Sequence, residues 1–109
     1  MPPINANVTE PVLLILLSLA AQPRHGYAIL KDVEQMSQGR IRLSTGTLYG
    51  ALRRMLEDDW IQRYQEENTS RGRQGYRLTA RGRRLLEQEV ARMKELTRLA
   101  GLRFAQKEG

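Results

Sequence analysis

Apolar positions along this chain fall into helical and strand-like patterns that divide it into short elements. Every residue from Val12 to Leu17 is apolar, in a run that ends at Ala21. Thr9 is placed to cap a helix there, with Glu10 and Pro11 in a first turn that favours both residue types. Gln22-Pro23 stops it. A helix apolar nearly all round is either central to the fold or shared with a second chain. A second helix is predicted from Gly26 to just before Gly39, with Ile29, Leu30, Val33 and Met36 on one side and Lys31, Asp32 and Gln35 on the other.

The third helix has the clearest period. Ser44 is its natural N-cap, and Leu48, Ala51, Leu52, Met55 and Leu56 repeat at helical spacing. Its opposite face carries Gly46, Thr47, Gly50, Arg53, Arg54 and Glu57, with Tyr49 at the boundary. Each exposed interior glycine costs a helix up to about 1 kcal/mol relative to alanine, so a face holding two of them calls for a compensating use. Ile61 to Glu67 alternates weakly, a polar turn follows, and Gly75 to Leu78 returns as a short strand, together a hairpin with a basic tip. Thr79 caps a last helix predicted to reach Phe104. At roughly 25 residues, or about 37 Å, it is longer than so small a domain needs. Its stripe of Leu86, Val90, Met93, Ala100 and Phe104, with Leu96 alongside, suggests pairing with another copy, the alternative being a fold back onto its own domain.

Composition narrows what such a chain does. Its 109 residues suit one domain, and no apolar run reaches the ~20 residues a bilayer requires, so no membrane role is expected. The lack of Lys or Arg before the first apolar run, together with Glu10, argues against a secretory signal. With no Cys and a single His, neither a metal centre nor a cofactor nor an enzymatic mechanism is expected, and a cytoplasmic location fits. The formal charge of +6 has one source. Arg71, Arg73, Arg77, Arg81, Arg83 and Arg84 lie together with no acid among them, and the rest of the chain balances. A field concentrated in one segment attracts a polyanion, although a merely solubilising basic face remains the simpler alternative.

The order of three helices, a basic hairpin and a helix predicts a mainly α (α+β) winged helix-turn-helix with a two-stranded wing. The divisions expected are an arm over 1–8, the winged domain over 9–79 and a dimerisation helix over 80–109. Three blocks sharpen this: His25-Gly26-Tyr27, Ser44-Thr45-Gly46-Thr47-Leu48-Tyr49, and Tyr76-Arg77-Leu78-Thr79-Ala80-Arg81-Gly82. In sequence and spacing they resemble the PadR family of transcriptional regulators, over about Pro11 to Val90, and the short last segment resembles its small subfamily. The resemblance implies a homodimeric DNA-binding repressor at a roughly palindromic operator, with the third helix in the major groove. It also implies a dimer interface from the first and last helices, here Leu13, Leu16, Leu86, Val90, Met93, Leu96, Ala100 and Phe104. In some members a phenolic or planar hydrophobic effector releases the DNA. Two positions depart from the family pattern: Asp59 stands where glycine is usual, and Gly50 where proline is common.

The DNA-contacting residues expected are Tyr27, Ser44, Thr45, Thr47, Tyr49, Arg53, Arg54, Arg71 and Arg73. Arg53 and Arg54 suit base edges or backbone, with an ion pair to Glu57 as the alternative. Ser44, Thr45 and Thr47 lie at a helix N-terminus, where an anion is favoured, and Ser44 is also simply a cap. Tyr49 is assigned a phosphate by resemblance, and Tyr27 is weighed between phosphate and filling space between helices. Arg71 and Arg73 sit at the wing tip. His25 is expected to be a structural turn residue, and Trp60 to pack between the third helix and the first strand. Competing readings are a nucleoid-type or RNA-binding winged helix without sequence preference, and a protein-interaction module built on the last helix.

Overall fold

The computed structural model describes residues 8–65 and 74–107. The elements, in order, are α1 (Glu10–Ala21), β1 (Arg24–His25), α2 (Gly26–Met36), α3 (Thr45–Glu57), β2 (Ile61–Gln65), β3 (Gln74–Leu78) and α4 (Ala80–Lys107). The starts of α1, α3 and α4 are fixed by local chemistry. The Thr9 hydroxyl accepts from Val12 N at 3.4 Å, Ser44 Oγ accepts from Thr47 N at 3.1 Å, and Thr79 Oγ1 accepts from Gly82 N at 2.9 Å. Each satisfies an amide that the helix itself leaves open.

Two helix ends are closed by left-handed residues. At the end of α3, Asp59 adopts φ 63°, the Trp60 amide donates to Met55 O at 2.9 Å and the Asp59 amide to Leu56 O at 3.1 Å. Aspartate is among the few side chains that enter this region at modest cost, which is how it takes the place of the glycine expected there. The end of α2 repeats the device, with Gln38 at φ 55° followed by Gly39 at φ 79°.

The sheet is three-stranded and antiparallel, ordered β1-β3-β2. The expected wing was two-stranded. The third strand is the pair Arg24–His25, which registers with Tyr76 and Gly75. His25 is therefore a strand residue at the entry to α2 rather than a turn residue. Its Nδ1 lies 3.4 Å from the Gln74 carbonyl oxygen.

Ile15, Leu16, Leu19, Ile29, Val33, Leu48, Leu52, Met55, Ile61, Tyr76, Leu85 and Leu86 form the core, where α1, α2, α3 and the start of α4 meet the inner face of the sheet. Leu16 and Leu86, expected at a subunit interface, are both sealed in this core. The apolar face of α1 that bears Leu16 is covered by the chain's own α2, β3 and α4. Leu13, Val90, Met93 and Ala100 are half-buried, and Leu96 and Phe104 are 52% and 72% exposed. Trp60 is half-buried against the core.

Arg24 ties the first turn of the fold together. Its Nε donates to the Ser18 carbonyl at 3.1 Å, and its guanidinium meets Asp32 at 3.5 Å. One side chain thus joins the end of α1 to the middle of α2. Farther along, α4 runs for 28 residues, a length of about 42 Å. The molecule measures 65 × 36 × 22 Å, and the far half of α4 lies beyond the core.

Candidate nucleic-acid interface

The outward face of α3 is determined by the inward one. Leu48, Leu52 and Met55 are buried, so at about 100° per residue Gly46, Gly50, Arg53 and Glu57 line the opposite side. All four are exposed, as are Thr45, Thr47 and Arg54. A Cβ built at Gly46 or Gly50 would meet nothing within 4 Å, so neither glycine is there to make room for the chain's own atoms. Neither Arg53 nor Arg54 has an acidic partner among the described residues, and the alternative of an ion pair to Glu57 is not what the structure holds. Two full positive charges are thus left available on this face.

At the start of α3, Ser44 Oγ accepts from the Thr47 amide and donates to Thr47 Oγ1 at 3.0 Å. Ser44 is engaged as the cap. Both threonine hydroxyls remain at the surface beside the first helical amides, whose dipole favours an anion.

Tyr49, 46% exposed, lies against Gly26. A Cβ at Gly26 would come 2.9 Å from Tyr49 Cζ and closer still to its hydroxyl oxygen, so the missing side chain at Gly26 is the seat for this ring. That seat holds the phenol at the junction of α2 and α3 with its outer edge open. Tyr27 stands 68% exposed and does not fill space between helices. Its ring is partnered by Lys31, whose Nζ lies 5.4 Å from the ring centroid. Arg71 and Arg73 lie outside the described residues, as does most of the expected arm.

Residues of the sheet outside the expected contact set also present an outward face. Tyr64 faces Gly75 across β2 and β3, and a Cβ at Gly75 would lie 2.5 Å from the Tyr64 ring. The Arg77 guanidinium sits over that ring, 5.2 Å from its centroid. Period-two alternation places Gln62, Tyr64, Gly75 and Arg77 on the outer face, and this was the available signal. Arg81, Arg83 and Arg84 are exposed on the first turns of α4. Gly82 between them is buried where α4 crosses the start of β2, because a Cβ there would collide with the Trp60 carbonyl. Among the described residues no cluster of His, Asp or Glu is arranged to hold a metal ion, and no helix is long and apolar enough to cross a membrane.

Comparison with known proteins agrees with this architecture. Residues 15–88 match the model of the transcriptional regulator PadR-like family. A PadR family transcription regulator from Clostridium difficile superposes with a TM-score of 0.73 at 28% identity, over 88% of this chain and 99% of that one. Bacillus subtilis PadR, solved in complex with operator DNA, shares the fold at 19% identity and a TM-score of 0.63, over 72% of this chain and 45% of that one. An uncharacterized 37.1 kDa protein in transposon TN4556 of Streptomyces fradiae is 40% identical over 91 residues, which are 84% of this chain. The chain spans a quarter of that relative's length. With well over half of its residues matched by the family model, the chain belongs to the PadR-like family of transcriptional regulators.

Proposed function

We propose that the chain is a homodimeric, sequence-specific DNA-binding regulator that represses transcription by occupying a pseudo-palindromic operator. The observation that carries this reading is the outward face of α3, where Arg53 and Arg54, without acidic partners among the described residues, follow two glycines that keep the helix surface low. A major groove about 12 Å wide admits a helix, and a surface without Cβ atoms lets backbone and arginine reach the base edges together. Arg53 and Arg54 serve as the base and backbone contacts. Thr45, Thr47, Tyr49 and Tyr27 address phosphates, with Ser44 holding the helix end in place. Arg71 and Arg73 add phosphate contacts in the same reading.

Pairing of two such helices follows from α4. Met93, Leu96, Ala100 and Phe104 continue the stripe that Leu86 and Val90 begin, and beyond the core Leu96 and Phe104 are left exposed by the described residues. A second copy covers them through α4 and the half-buried Leu13 of α1. Release by a phenolic or planar hydrophobic effector belongs to the same reading and is supported by the family resemblance alone.

Selection of bound duplexes from a random DNA pool tests the whole reading. The result expected is a two-fold symmetric consensus with half-sites about 34 Å apart. Arg53→Ala is expected to weaken binding to that consensus more than binding to random duplex. Equal affinity for every duplex, or preference for structured RNA at physiological salt, would give the function to sequence-independent nucleic-acid binding instead.

A further inference from the structure

We propose that Arg77, laid on the Tyr64 ring, is a phosphate clamp through which the outer face of the sheet, and not only the wing tip, grips the backbone of duplex DNA. The proposal rests on the DNA-binding reading above and extends it to residues outside α3.

Of the four tyrosines, Tyr76 is buried in the core, whereas Tyr27 and Tyr49 are exposed and Tyr64 is half-buried. Tyr49 of α3 rests on Gly26, and Gly26 directly follows His25 of β1. His25 is in register with Gly75 of β3, and Gly75 is covered by Tyr64 of β2. One residue step and two strand spacings carry the backbone from Gly26 to Tyr64, a span of about 13 Å. Tyr49, which shares α3 with Arg53, and Tyr64, which lies under Arg77, are therefore seated on backbone about 13 Å apart.

Arg77 itself is exposed and has no acidic partner among the described residues. Its guanidinium is instead ordered by the face of the Tyr64 ring. A contact with the ring face uses none of the guanidinium's N–H hydrogen bonds, and those are the groups that match phosphate oxygens two at a time. The arrangement also removes in advance most of the side-chain entropy that a free arginine gives up on binding. Gly75 makes the stack possible, since any side chain there would displace the ring. A purely structural stack has no need of an unneutralised charge at the surface, and an acidic partner would serve it equally well. A polyanionic occupant accounts for both the ordering and the lack of a counter-charge.

The test uses the full chain and a fluorescein-labelled 24-base-pair duplex, with binding followed by anisotropy at several salt concentrations. Arg77→Ala is expected to weaken binding about tenfold near 0.1 M salt and to flatten the slope of log Kd against log salt by about one ion. Arg77→Gln, which keeps the length of the side chain, is expected to behave alike and guards against a fold lost through the alanine change. Tyr64→Leu is expected to weaken binding about threefold with the salt slope unchanged, because the charge stays while its orientation is lost. Wild-type Kd and salt slope in both Arg77 variants, with Arg53→Ala still impaired, would overturn the clamp and leave the α3 reading intact. Failure of the unmodified chain to bind the duplex would overturn both.

Discussion

Gly50 separates stability from function on a single helix face, so replacing it with alanine is a direct trial of the interface. The position is the sixth residue of α3, exposed, with no heavy atom within 4 Å of an added Cβ. Within the free protein the new methyl group therefore clashes with nothing. Alanine in place of glycine at an exposed helix interior is worth about 1 kcal/mol, partly through the reduced freedom of the unfolded chain. For a domain of this size that translates to a rise in Tm of about 4–8 °C. If α3 lies in a DNA groove, however, the same methyl group points into the partner. Overpacking a close contact costs about 1–3 kcal/mol, or roughly a 5- to 150-fold rise in Kd.

The two effects have opposite signs and are read by different instruments, calorimetry for Tm and anisotropy titration for Kd. Gly101→Ala on α4 serves as the comparator, because it too is exposed with open space around its Cβ and lies outside α3; it borders the stripe of Val90 and Phe104, so sedimentation checks that the variant keeps its oligomeric state. It is expected to stabilise similarly and to leave DNA affinity alone. A Gly50→Ala protein that melts higher yet binds its operator with wild-type Kd would refute the placement of this face against DNA. One that melts lower would refute the account of the helix itself.

Three further outcomes are expected. Asp59→Val should lose about 2 kcal/mol in denaturant unfolding, because a β-branched residue is forced to φ 63°, whereas Asp59→Gly should stay within about 0.5 kcal/mol of wild type. Arg24→Met should cost about 1.5–3 kcal/mol by the same assay, since it strips the Ser18 carbonyl and Asp32 of a charged partner at once. The hydrogen bond from Arg40 holds the Glu10 carboxyl below its ordinary range, so the pair's contribution is complete above the unfolded-state value, about 4.3, and is lost as pH falls through the lower folded-state value. Glu10→Gln should therefore flatten the acid limb of a Tm-against-pH curve, and an unchanged limb would show the pair to be without thermodynamic effect.

The parts of the fold legible in the sequence are those decided within one helical turn. Thr9, Ser44 and Thr79 cap the helices they were expected to cap, and Asp59 adopts the left-handed geometry its place requires. The three-stranded sheet was not legible, because β1 is two residues long and its pairing partners lie about fifty positions away. No period can be read from two residues. Nor does an all-apolar helix reveal which of its leucines face their own core: Leu16 does, and Leu13 is only half covered. The same limit applies to the site. The polar face of α3 follows from the leucines behind it, but the Arg77–Tyr64 stack depends on cross-strand register, which a hairpin sequence with a long polar tip leaves open.

Glycine has two opposed uses in this protein, and together they explain how so small a domain holds its contact groups. At Gly26, Gly75 and Gly82 the space of a Cβ is already taken by Tyr49, Tyr64 and the Trp60 carbonyl respectively. These three sites let α3 close on α2, β2 on β3, and α4 on the start of β2, which fixes the relative placement of the helix and sheet that bear Arg53 and Arg77. The obstacle is the end of a side chain at Gly26 and main chain at Gly82, so the first tolerates change by moving a ring and the second does not tolerate it. At Gly46 and Gly50 the space is empty, and nothing inside the molecule rewards its emptiness. A helix that gives up stability for room it does not itself occupy is shaped for something outside the chain. The closed glycines make the frame rigid, and the open ones leave its outer face low enough for another surface to approach.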